Sequence, residues 1–417
     1  MAGARGQPVR DFDVVIVGGA MAGAGTAALL AATPATSSLR IALIEPRPVA
    51  APAPGAPLDL RVSALSRATQ QLLERTGAWP AVAARAAAYE RMVIWEERQD
   101  PAGPDALVFD AAELGEPDLG HIGENRSIQA ALTARAEAMG VILLRADFAT
   151  LEATRDAVRI GLGDGREFRA GLVVGADGAE SAVRRQAGIE TRGWDYGQRA
   201  VVAHLDTEKP HSATAWQRFL DTGPLALLPL ADGRVSLVWS TLPEQAEELV
   251  HCPDAEFAGR VTVASVGVLG RLTASTPRAS FPLRLQHARR YAAERIALVG
   301  DAAHTVHPLA GQGINLAFLD AAALVDVLGK AVAAGDDPGE LRVLRRYERW
   351  RKAEALPAIA LLDAIKRLFF GGNPLQSRLR QGALGLAQSS GTLKRVLMQR
   401  ALGVAGEVPA SVRRPPS

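Results

Sequence analysis

The chain has 417 residues, of which 48% are hydrophobic and 22% are charged, and its formal net charge is +2. This composition is typical of a globular protein with one large domain or two, and it excludes a disordered chain. The single cysteine, Cys252, excludes an internal disulfide and a metal site with several thiolates, and it favours a reducing, cytosolic-type compartment. The charge is uneven, because residues 341–417 carry 15 Lys and Arg against 4 Asp and Glu. Such a basic end indicates either solvated helix faces or a contact with an acidic partner or an anionic membrane surface.

The uncharged segment from Val14 to Leu39 is long enough to be mistaken for a membrane span. It opens with the β-branched run "VVIV", continues with the four glycines of "GGAMAGAG" and ends in the small polar run "TPATSS". This order of residues predicts a strand, a glycine turn and a helix instead. We expect no membrane-spanning segment in the chain.

The first predicted elements form a βαβ unit, with a strand over 13–17, a helix to about residue 32 and a strand over 40–45. After a proline-rich loop, "SALSRATQQLLERTG" predicts a helix, "RMVIWEE" a strand and "NRSIQAALTARAEAMG" a second helix. "GLVVGADG" then predicts a buried strand that runs into a turn. Longer strands follow, and the "ADGR" of "GPLALLPLADGRVSLVW" indicates a hairpin.

The last third of the chain returns to a buried strand in "RIALVGDAAH" and a helix in "GINLAFLDAAALVDVLGKAV". The end of the chain is predicted to be mostly helical, with Ile359, Leu362, Ile365 and Phe369 on one helix face. The strand-rich part therefore interrupts an α/β domain whose pieces are separated in the chain.

The first of three glycine turns, "GGAMAG", places Gly18, Ala20 and Gly23 in the phase of the G-x-G-x-x-G nucleotide motif. In that motif the pyrophosphate lies against the helix N-terminus. Glu45 ends the next strand, where a carboxylate accepts hydrogen bonds from ribose hydroxyls and disfavours a 2′-phosphate. The tightly bound nucleotide is therefore expected to be FAD or NAD. Ala20 departs from the motif, because its methyl group stands where the backbone normally approaches the phosphates.

The other two glycine turns are "GADG" at 175–178 and "GDAAHTVHPLAGQGIN" at 300–315. In the latter, Asp301, His304 and His307 could be interpreted as metal ligands or as an acid–base cluster. The chain has only seven histidines, and Pro308 with three glycines indicates a loop defined by its backbone, so we predict no metal site. His304 and His307 remain weak candidates for a general base. A hydrolase is disfavoured because "GADGAES" is not a G-x-S-x-G nucleophile turn.

Together the three turns resemble the class A flavin monooxygenases, the para-hydroxybenzoate hydroxylase-like group, over about residues 11–399. The long form of the third turn, with "DLRVSALSRATQQLLERTGAW" and "GPLALLPLADGRVSLVW", is most similar to the ubiquinone-biosynthesis hydroxylase branch. The resemblance implies an α/β fold with a Rossmann-like FAD-binding domain of the GR2 type, an inserted β-sheet substrate domain and C-terminal helices. We assign residues 1–90, 106–190 and 286–335 to the first domain, 91–105 and 191–285 to the second, and 336–417 to the helical region.

The resemblance also implies the chemistry and the cofactor contacts. NAD(P)H would reduce FAD transiently, and O2 would form a C4a-hydroperoxyflavin that hydroxylates an electron-rich ring, so neither a protein nucleophile nor a metal is needed. The glycine motif would surround the pyrophosphate, Asp301 would bind the ribityl chain, and the residues after His307 would lie beside the isoalloxazine ring. The implied cofactor-binding residues are Gly18, Gly19, Ala20, Gly23, Glu45, Arg47, Arg61, Asn125, Arg126, Asp177, Gly178, Asp301, Pro308, Gly311, Gln312, Gly313, Ile314 and Asn315.

The resemblance favours an FAD-dependent hydroxylase that inserts one atom of O2 into a polyprenylated phenol in ubiquinone biosynthesis. Two alternatives stay open, namely a hydroxylase of a small soluble aromatic and a non-catalytic flavoprotein subunit of a quinone-biosynthesis complex. Ala20 and the basic end of the chain keep the second alternative open. We expect a cytoplasmic protein that contacts the inner membrane or other quinone-biosynthesis proteins through its basic end, and no nucleic-acid partner.

Overall fold

Two large β-sheets, a small third sheet and ten α-helices make up the part of the chain that the computed structural model describes, namely residues 10–305, 313–369, 387–401 and 406–413. Within these ranges, none of the helices combines the length and the apolar composition that a bilayer span requires. The predicted helix face beyond residue 359 lies partly outside the described side chains, and Ile359 itself is buried.

The first sheet has mostly parallel central strands and carries the βαβ unit predicted from the sequence. Its strands are β1 (Phe12–Val17), β2 (Ile41–Ile44), β8 (Ile142–Leu144), β9 (Phe148–Ala153), β10 (Val158–Leu162), β11 (Glu167–Gly175), β18 (Ala292–Ala293) and β19 (Ile296–Leu298). The order is β18-β19-β11-β1-β2-β8, and β10 and β9 extend it as antiparallel strands from β11. The apolar run 14–17 of β1 is buried, which is typical of a parallel strand at the centre of a sheet.

The second sheet is mostly antiparallel and has nine strands. These are β5 (Arg91–Glu96), β6 (Leu107–Asp110), β12 (Thr191–Thr207), β13 (Thr214–Leu220), β14 (Gly223–Pro229), β15 (Val235–Thr241), β16 (Leu272–Ala274), β17 (Ala279–Ala288) and β20 (His304–Thr305). They follow the order β20-β17-β12-β15-β14-β13-β5-β6, and β16 pairs with β12. The sequence analysis placed residues 106–190 in the first domain, but β6 at the start of this range pairs with β5 and so belongs to the second sheet. The sequence "LVFD" is too short to predict which sheet β6 joins. Its pairing with β5 in the structure decides this.

The small third sheet contains β3 (Val62–Leu65), β4 (Ala87–Tyr89) and β7 (Gly120–Glu124), in the order β3-β7-β4. The helices are α1 (Met21–Ala32), α2 (Arg67–Arg75), α3 (Trp79–Ala83), α4 (Asn125–Ala138), α5 (Ala182–Gln186), α6 (Pro243–His251), α7 (Asp254–Ala264), α8 (Gly313–Ala333), α9 (Leu341–Phe369) and α10 (Gly391–Ala401).

Helices α1 and α8 pack closely against each other, and this contact depends on a glycine. A Cβ atom at Gly25 would lie 2.6 Å from the ring of Phe318 on α8, so a larger residue would push the helices apart. Helices α6 and α7 pack on one face of the second sheet through Ala246, Leu249 and Phe257. The other face of the second sheet is left to line a cavity between the two sheets.

Candidate cofactor and substrate cavity

The turn between β1 and α1 presents backbone groups to the cavity. Gly18 has a φ of +98°, and a Cβ atom there would lie 2.6 Å from the carbonyl oxygen of Ala176. Gly23 lets α1 start close to this turn, since its Cβ atom would lie 1.8 Å from the Gly18 carbonyl oxygen. No side chain of the described residues caps α1 at Ala20, and no acidic residue lies in its first turn. The first amide groups of α1 are therefore available to an anion.

Glu45 lies beside this turn at the end of β2. Its carboxylate accepts hydrogen bonds from the backbone N–H groups of Gly19 at 2.8 Å and Arg47 at 3.0 Å, and the residue lines the cavity. Ala20 is exposed and also lines the cavity, so its methyl group stands where a phosphate would approach. Arg47 is exposed outside the cavity lining, although its neighbours Pro46 and Pro48 belong to that lining.

The second glycine turn also reaches the cavity, through Asp177 and Gly178. The Asp177 carboxylate accepts hydrogen bonds from the Ser181 hydroxyl at 2.5 Å and from the backbone N–H groups of Ala182 and Val183 at 2.7 and 3.1 Å. Asp177 therefore stabilises the start of α5, and this contact alone accounts for an aspartate at its position. Gly178, with a φ of +79°, provides the turn.

Arg61, Asn125 and Arg126 come together at the cavity wall. The Asn125 side-chain oxygen accepts a hydrogen bond from the Ser63 hydroxyl at 2.7 Å, and the Asn125 backbone N–H donates to the Arg61 carbonyl oxygen at 3.0 Å. The pairing of β3 with β7 brings these residues together. Since both Asn125 and Arg126 line the cavity, either of them is placed to contact a ligand.

Asp320 holds the third glycine turn from the side away from the cavity, and the sequence analysis did not identify this residue. The Asp320 carboxylate is fully buried and accepts hydrogen bonds from the Gly300 N–H at 3.0 Å, from His304 Nε2 at 2.7 Å and from Arg351 Nε at 2.7 Å. Burial raises the pKa of Asp320, but His304 and Arg351 outweigh it and hold the pKa below its usual range. The carboxylate thus joins the turn to α8 and α9.

Asp301, next to Gly300, faces the cavity. Its side chain is accessible there, yet protein surrounds it closely enough that burial raises its pKa, against the opposing charges of His304 and Arg61. The neighbouring His304 ring is 2% exposed and packs against Tyr291, so it lies in the core and has its Nε2 bonded to Asp320. This geometry gives His304 a structural contact and does not support it as a general base.

The residues predicted beside the flavin ring are only partly described. His307, Pro308, Gly311 and Gln312 lie outside the described residues. Gly313 and Ile314, at the start of α8, line the cavity. Asn315 is buried, and its side chain is engaged by the Ser66 N–H, the Thr69 hydroxyl and the Ala64 carbonyl, so it joins α8 to β3 and α2.

The cavity has a volume of about 1280 Å³, and the second sheet forms its floor. Alternate residues of β14 and β15 point into it, whereas the residues between them pack on α6 and α7. The period-two pattern of "GPLALLPLADGRVSLVW" contains this signal, but the sequence alone does not show which of the two faces lines a cavity. The floor residues are Val202, Gln217, Pro224, Ala226, Leu228, Ser236, Val238, Ser240 and Phe281.

The residues present fit a flavin dinucleotide. The close backbone approach at Gly18, the uncapped start of α1 and the carboxylate of Glu45 form a cradle for a pyrophosphate and a ribose. The cavity continues from this cradle past Asp301 to the sheet, and its volume exceeds that of an ordinary single-ligand pocket. Among the described residues, no group of three or more His, Cys, Asp or Glu side chains is arranged to hold a metal ion.

This fold and site define an FAD-binding flavoprotein, and the chain belongs to the FAD binding domain family, which matches residues 11–359. The chain is 37% identical over 395 residues to the 3-demethoxyubiquinol 3-hydroxylase of Escherichia coli K12, covering 94% of this chain and 98% of that one. It is 38% identical to the mitochondrial ubiquinone biosynthesis monooxygenase COQ6 of Xenopus tropicalis, covering 86% of each chain. It is 36% identical to the ubiquinone hydroxylase UbiL of Rhodospirillum rubrum, covering 94% of this chain and 89% of that one. The expected flavin monooxygenase family is thereby confirmed.

Solved structures confirm the fold. The p-nitrophenol 4-monooxygenase of Pseudomonas putida superposes with a TM-score of 0.73 at 18% identity, covering 94% of this chain and 98% of that one. A probable FAD-dependent monooxygenase of Pseudomonas aeruginosa superposes with a TM-score of 0.69 at 23% identity, covering 94% and 99%. The predicted α/β fold with its FAD-binding domain and second sheet is therefore the fold of this family.

Proposed function

We propose that this protein is an FAD-dependent monooxygenase that uses NAD(P)H and O2 to hydroxylate the ring of a polyprenylated phenol in ubiquinone biosynthesis. One observation carries the proposal, namely a single cavity lined by three nucleotide-type glycine turns on one side and by a sheet face on the other. A cofactor and an aromatic ring bound there would share one enclosed space. The names of the relatives in Escherichia coli, Xenopus tropicalis and Rhodospirillum rubrum support ubiquinone precursors as the substrate class.

In this proposal each part of the cavity has its own task. The start of α1, with Gly18 and Ala20, binds the pyrophosphate, and Glu45 binds the adenosine ribose. Asp301 accepts hydrogen bonds from the ribityl hydroxyls, and Asp320 holds the turn on which Asp301 lies. Arg61, Asn125 or Arg126, and Gly178 complete the cofactor wall.

The chemistry of the reaction would come from FAD, which activates O2 once NAD(P)H has reduced it. The task of the chain is to exclude water, to position the ring and to fix the charge around the cofactor. The start of α8, at Gly313 and Ile314, lines the cavity and points the positive end of a helix dipole at it. This arrangement favours negative charge on a ligand, as a reduced flavin carries.

The substrate would lie on the sheet floor. Most of that floor is apolar or small, and it includes Leu228, Val238 and Ala226, so it accepts an aromatic ring with an apolar substituent. A small soluble aromatic remains the second candidate, because it would use the same cofactor residues. A non-catalytic role is the third, and the exposed methyl group of Ala20 in the cofactor cradle is the observation that favours it.

The test is to incubate FAD-loaded protein with NADH, O2 and either ortho-geranylphenol or para-hydroxybenzoate. We expect a product heavier by one oxygen atom from the prenylated phenol, with little conversion of para-hydroxybenzoate. Conversion of para-hydroxybenzoate alone would favour the second candidate. Bound FAD without any oxygenated product would favour the non-catalytic role, and failure to bind FAD would contradict all three.

We also propose that the protein works in the cytoplasm and contacts the inner membrane, or a quinone-biosynthesis partner, through its basic end. The excess of Lys and Arg beyond residue 341 supports this, as do the exposed apolar side chains of Leu356 and Leu361 on α9. Sedimentation with vesicles of anionic and of zwitterionic lipid is the test, and we expect binding to the anionic vesicles that falls with added salt.

A further inference from the structure

Two polar side chains lie side by side in the floor of the cavity. His204 on β12 and Ser236 on β15 are directly opposite each other in the antiparallel pair. The His204 N–H donates to the Thr276 hydroxyl at 2.8 Å, and its carbonyl accepts from the Ser275 N–H at 3.1 Å, so its backbone bonds point away from β15. The pair with Ser236 is therefore of the non-hydrogen-bonded kind, in which side chains come closest.

Neither side chain is satisfied by the protein. Ser236 is 1% exposed and His204 is 0% exposed. Within the described part of the chain, the Ser236 hydroxyl and both His204 ring nitrogens are buried without a hydrogen-bond partner. The backbone of Leu60 lies close enough to raise the pKa of His204, but not with the geometry of a hydrogen bond. Native proteins keep few such groups, and those they keep call for an explanation.

The position of Ser236 supplies an explanation. Ser236 lines the cavity, and its other cross-strand neighbour is Leu228, which lines the cavity too. Val238, two residues along the same strand, lies on the same face. The floor here therefore offers the Ser236 hydroxyl next to the apolar side chains of Leu228 and Val238, a pattern that matches an aromatic ring with a hydroxyl group.

We propose that Ser236 binds the ring hydroxyl of the phenolic substrate and that His204 orients the Ser236 hydroxyl. This assignment rests on the proposed function and adds to it the residue that recognises the phenol. The structure contains no hydrogen bond between the two side chains. When the substrate binds, a neutral imidazole would accept the Ser236 hydrogen, which leaves the serine oxygen free to accept a hydrogen bond from the phenol O–H. Ser236 would touch the substrate, whereas His204 acts through Ser236 and is a positioning residue.

The surroundings of His204 favour the neutral imidazole that this arrangement needs. Burial lowers the pKa of His204, and the charge of Arg234 lowers it further. Asp232, the Leu60 backbone and Asp59 act in the opposite direction and are outweighed. At any given pH, the neutral form is therefore more populated for His204 than for an ordinary histidine.

The experiment compares the binding of ortho-geranylphenol and of geranylbenzene, which lacks the hydroxyl, to the FAD-loaded protein. Perturbation of the flavin absorbance reports binding without turnover. We expect the unmodified protein to prefer the phenol by about fivefold, the effect of one neutral hydrogen bond. Ser236→Ala should abolish the preference and leave the affinity for geranylbenzene unchanged, and Ser236→Thr, which keeps a hydroxyl, should retain it.

Two further variants test the positioning residue. His204→Leu should lower the preference for the phenol, and His204→Gln, which can still accept a hydrogen bond, should restore part of it. The control is Thr273→Ala, an exposed threonine of β16 outside the cavity lining, which should bind both compounds as the unmodified protein does.

A preference that survives Ser236→Ala would overturn the assignment of Ser236, and equal losses in the two His204 variants would overturn that of His204. A different result would contradict the proposed function. This result is a protein that still prefers the phenol but forms no oxygenated product.

Discussion

Replacing Asp320 with asparagine would remove one charge from the buried network behind the third glycine turn and change little in shape. One carboxylate oxygen accepts from Arg351, and the other accepts from both His304 and the Gly300 N–H. An asparagine has only one acceptor oxygen, so its NH2 group must face at least one of these donors. The Arg351 guanidinium, which is 1% exposed, would then lack its counter-charge.

The expected cost follows from this geometry. Breaking a buried ion pair by removing one partner destabilises a protein by about 3–5 kcal/mol, and the N–H groups left unpaired contribute to that figure. Because the network holds the Gly300–Asp301 turn, we expect Asp320→Asn to lower both the thermal unfolding temperature and the temperature at which FAD is released. Tryptophan fluorescence reports the first, and the rise of free-flavin fluorescence reports the second.

The control is Asp326→Asn, on the same helix but nearer the surface, where the carboxylate accepts from the backbone N–H groups of Ala410 and Ser411. Replacing the Asp326 carboxylate should lower the free energy of unfolding by about 1 kcal/mol. The double variant Asp320→Leu with Arg351→Leu removes two of the buried charges together and should recover part of the lost stability, because the Gly300 N–H and His304 stay unpaired. If Asp320→Asn were no more destabilising than Asp326→Asn, the network would not hold the turn as described.

Four further predictions concern the sites named above. Asp337 has its pKa lowered to about 2, because hydrogen bonds from Arg295 and other donors outweigh its burial. Since the folded pKa lies below the unfolded one, this contributes about 2 kcal/mol that is present above pH ~4 and lost as the pH falls towards 2. Urea titrations should therefore show Asp337→Asn to be destabilised at pH 7 and to approach the unmodified protein at low pH, and a pH-independent difference would contradict this. Gly23→Ala should prevent FAD binding, because its Cβ atom would lie 1.8 Å from a backbone oxygen; a normal flavin spectrum would be the contrary result. Ala20→Gly should bind FAD at least as tightly in fluorescence titrations, and weaker binding would show that the methyl group does not face the phosphates. Asp301→Ala should weaken FAD retention about tenfold or more whereas His307→Ala should not abolish it; equal retention in both would contradict the role given to Asp301.

The elements around the cofactor cradle could be predicted because each carries a local signal. The β-branched run of β1, the glycines after it and the acid at the end of β2 specify a strand, a turn and a second strand without reference to the rest of the chain. The strands and the hairpin of the second sheet could be predicted, but the cavity floor could not. Alternation along a strand identifies two faces, and only the packing of α6 and α7 shows which face is covered.

Asp320 could not be predicted in the same way. It lies within the apolar run "LAFLDAAALV", and its partners His304 and Arg351 are 16 and 31 residues away in the chain. For the same reason, the sequence left His304 as a weak candidate for a general base. Its partner Asp320 lies on α8, and only the fold brings α8 against the turn. Asp177 differs from Asp320, because its hydrogen bonds are to residues that follow it closely in the chain. Its contact with the start of α5 is enough to explain an aspartate at this position of the motif.

The most direct test of the account is to supply isotopically heavy O2 to the FAD-loaded protein with NADH and ortho-geranylphenol, and to record the mass of the product. The account predicts one heavy oxygen atom in the product, as a new hydroxyl group on the ring, because a monooxygenase transfers one atom of O2 to the substrate and the other to water. NADH oxidation that yields only hydrogen peroxide, or a product whose new oxygen comes from water, would contradict it.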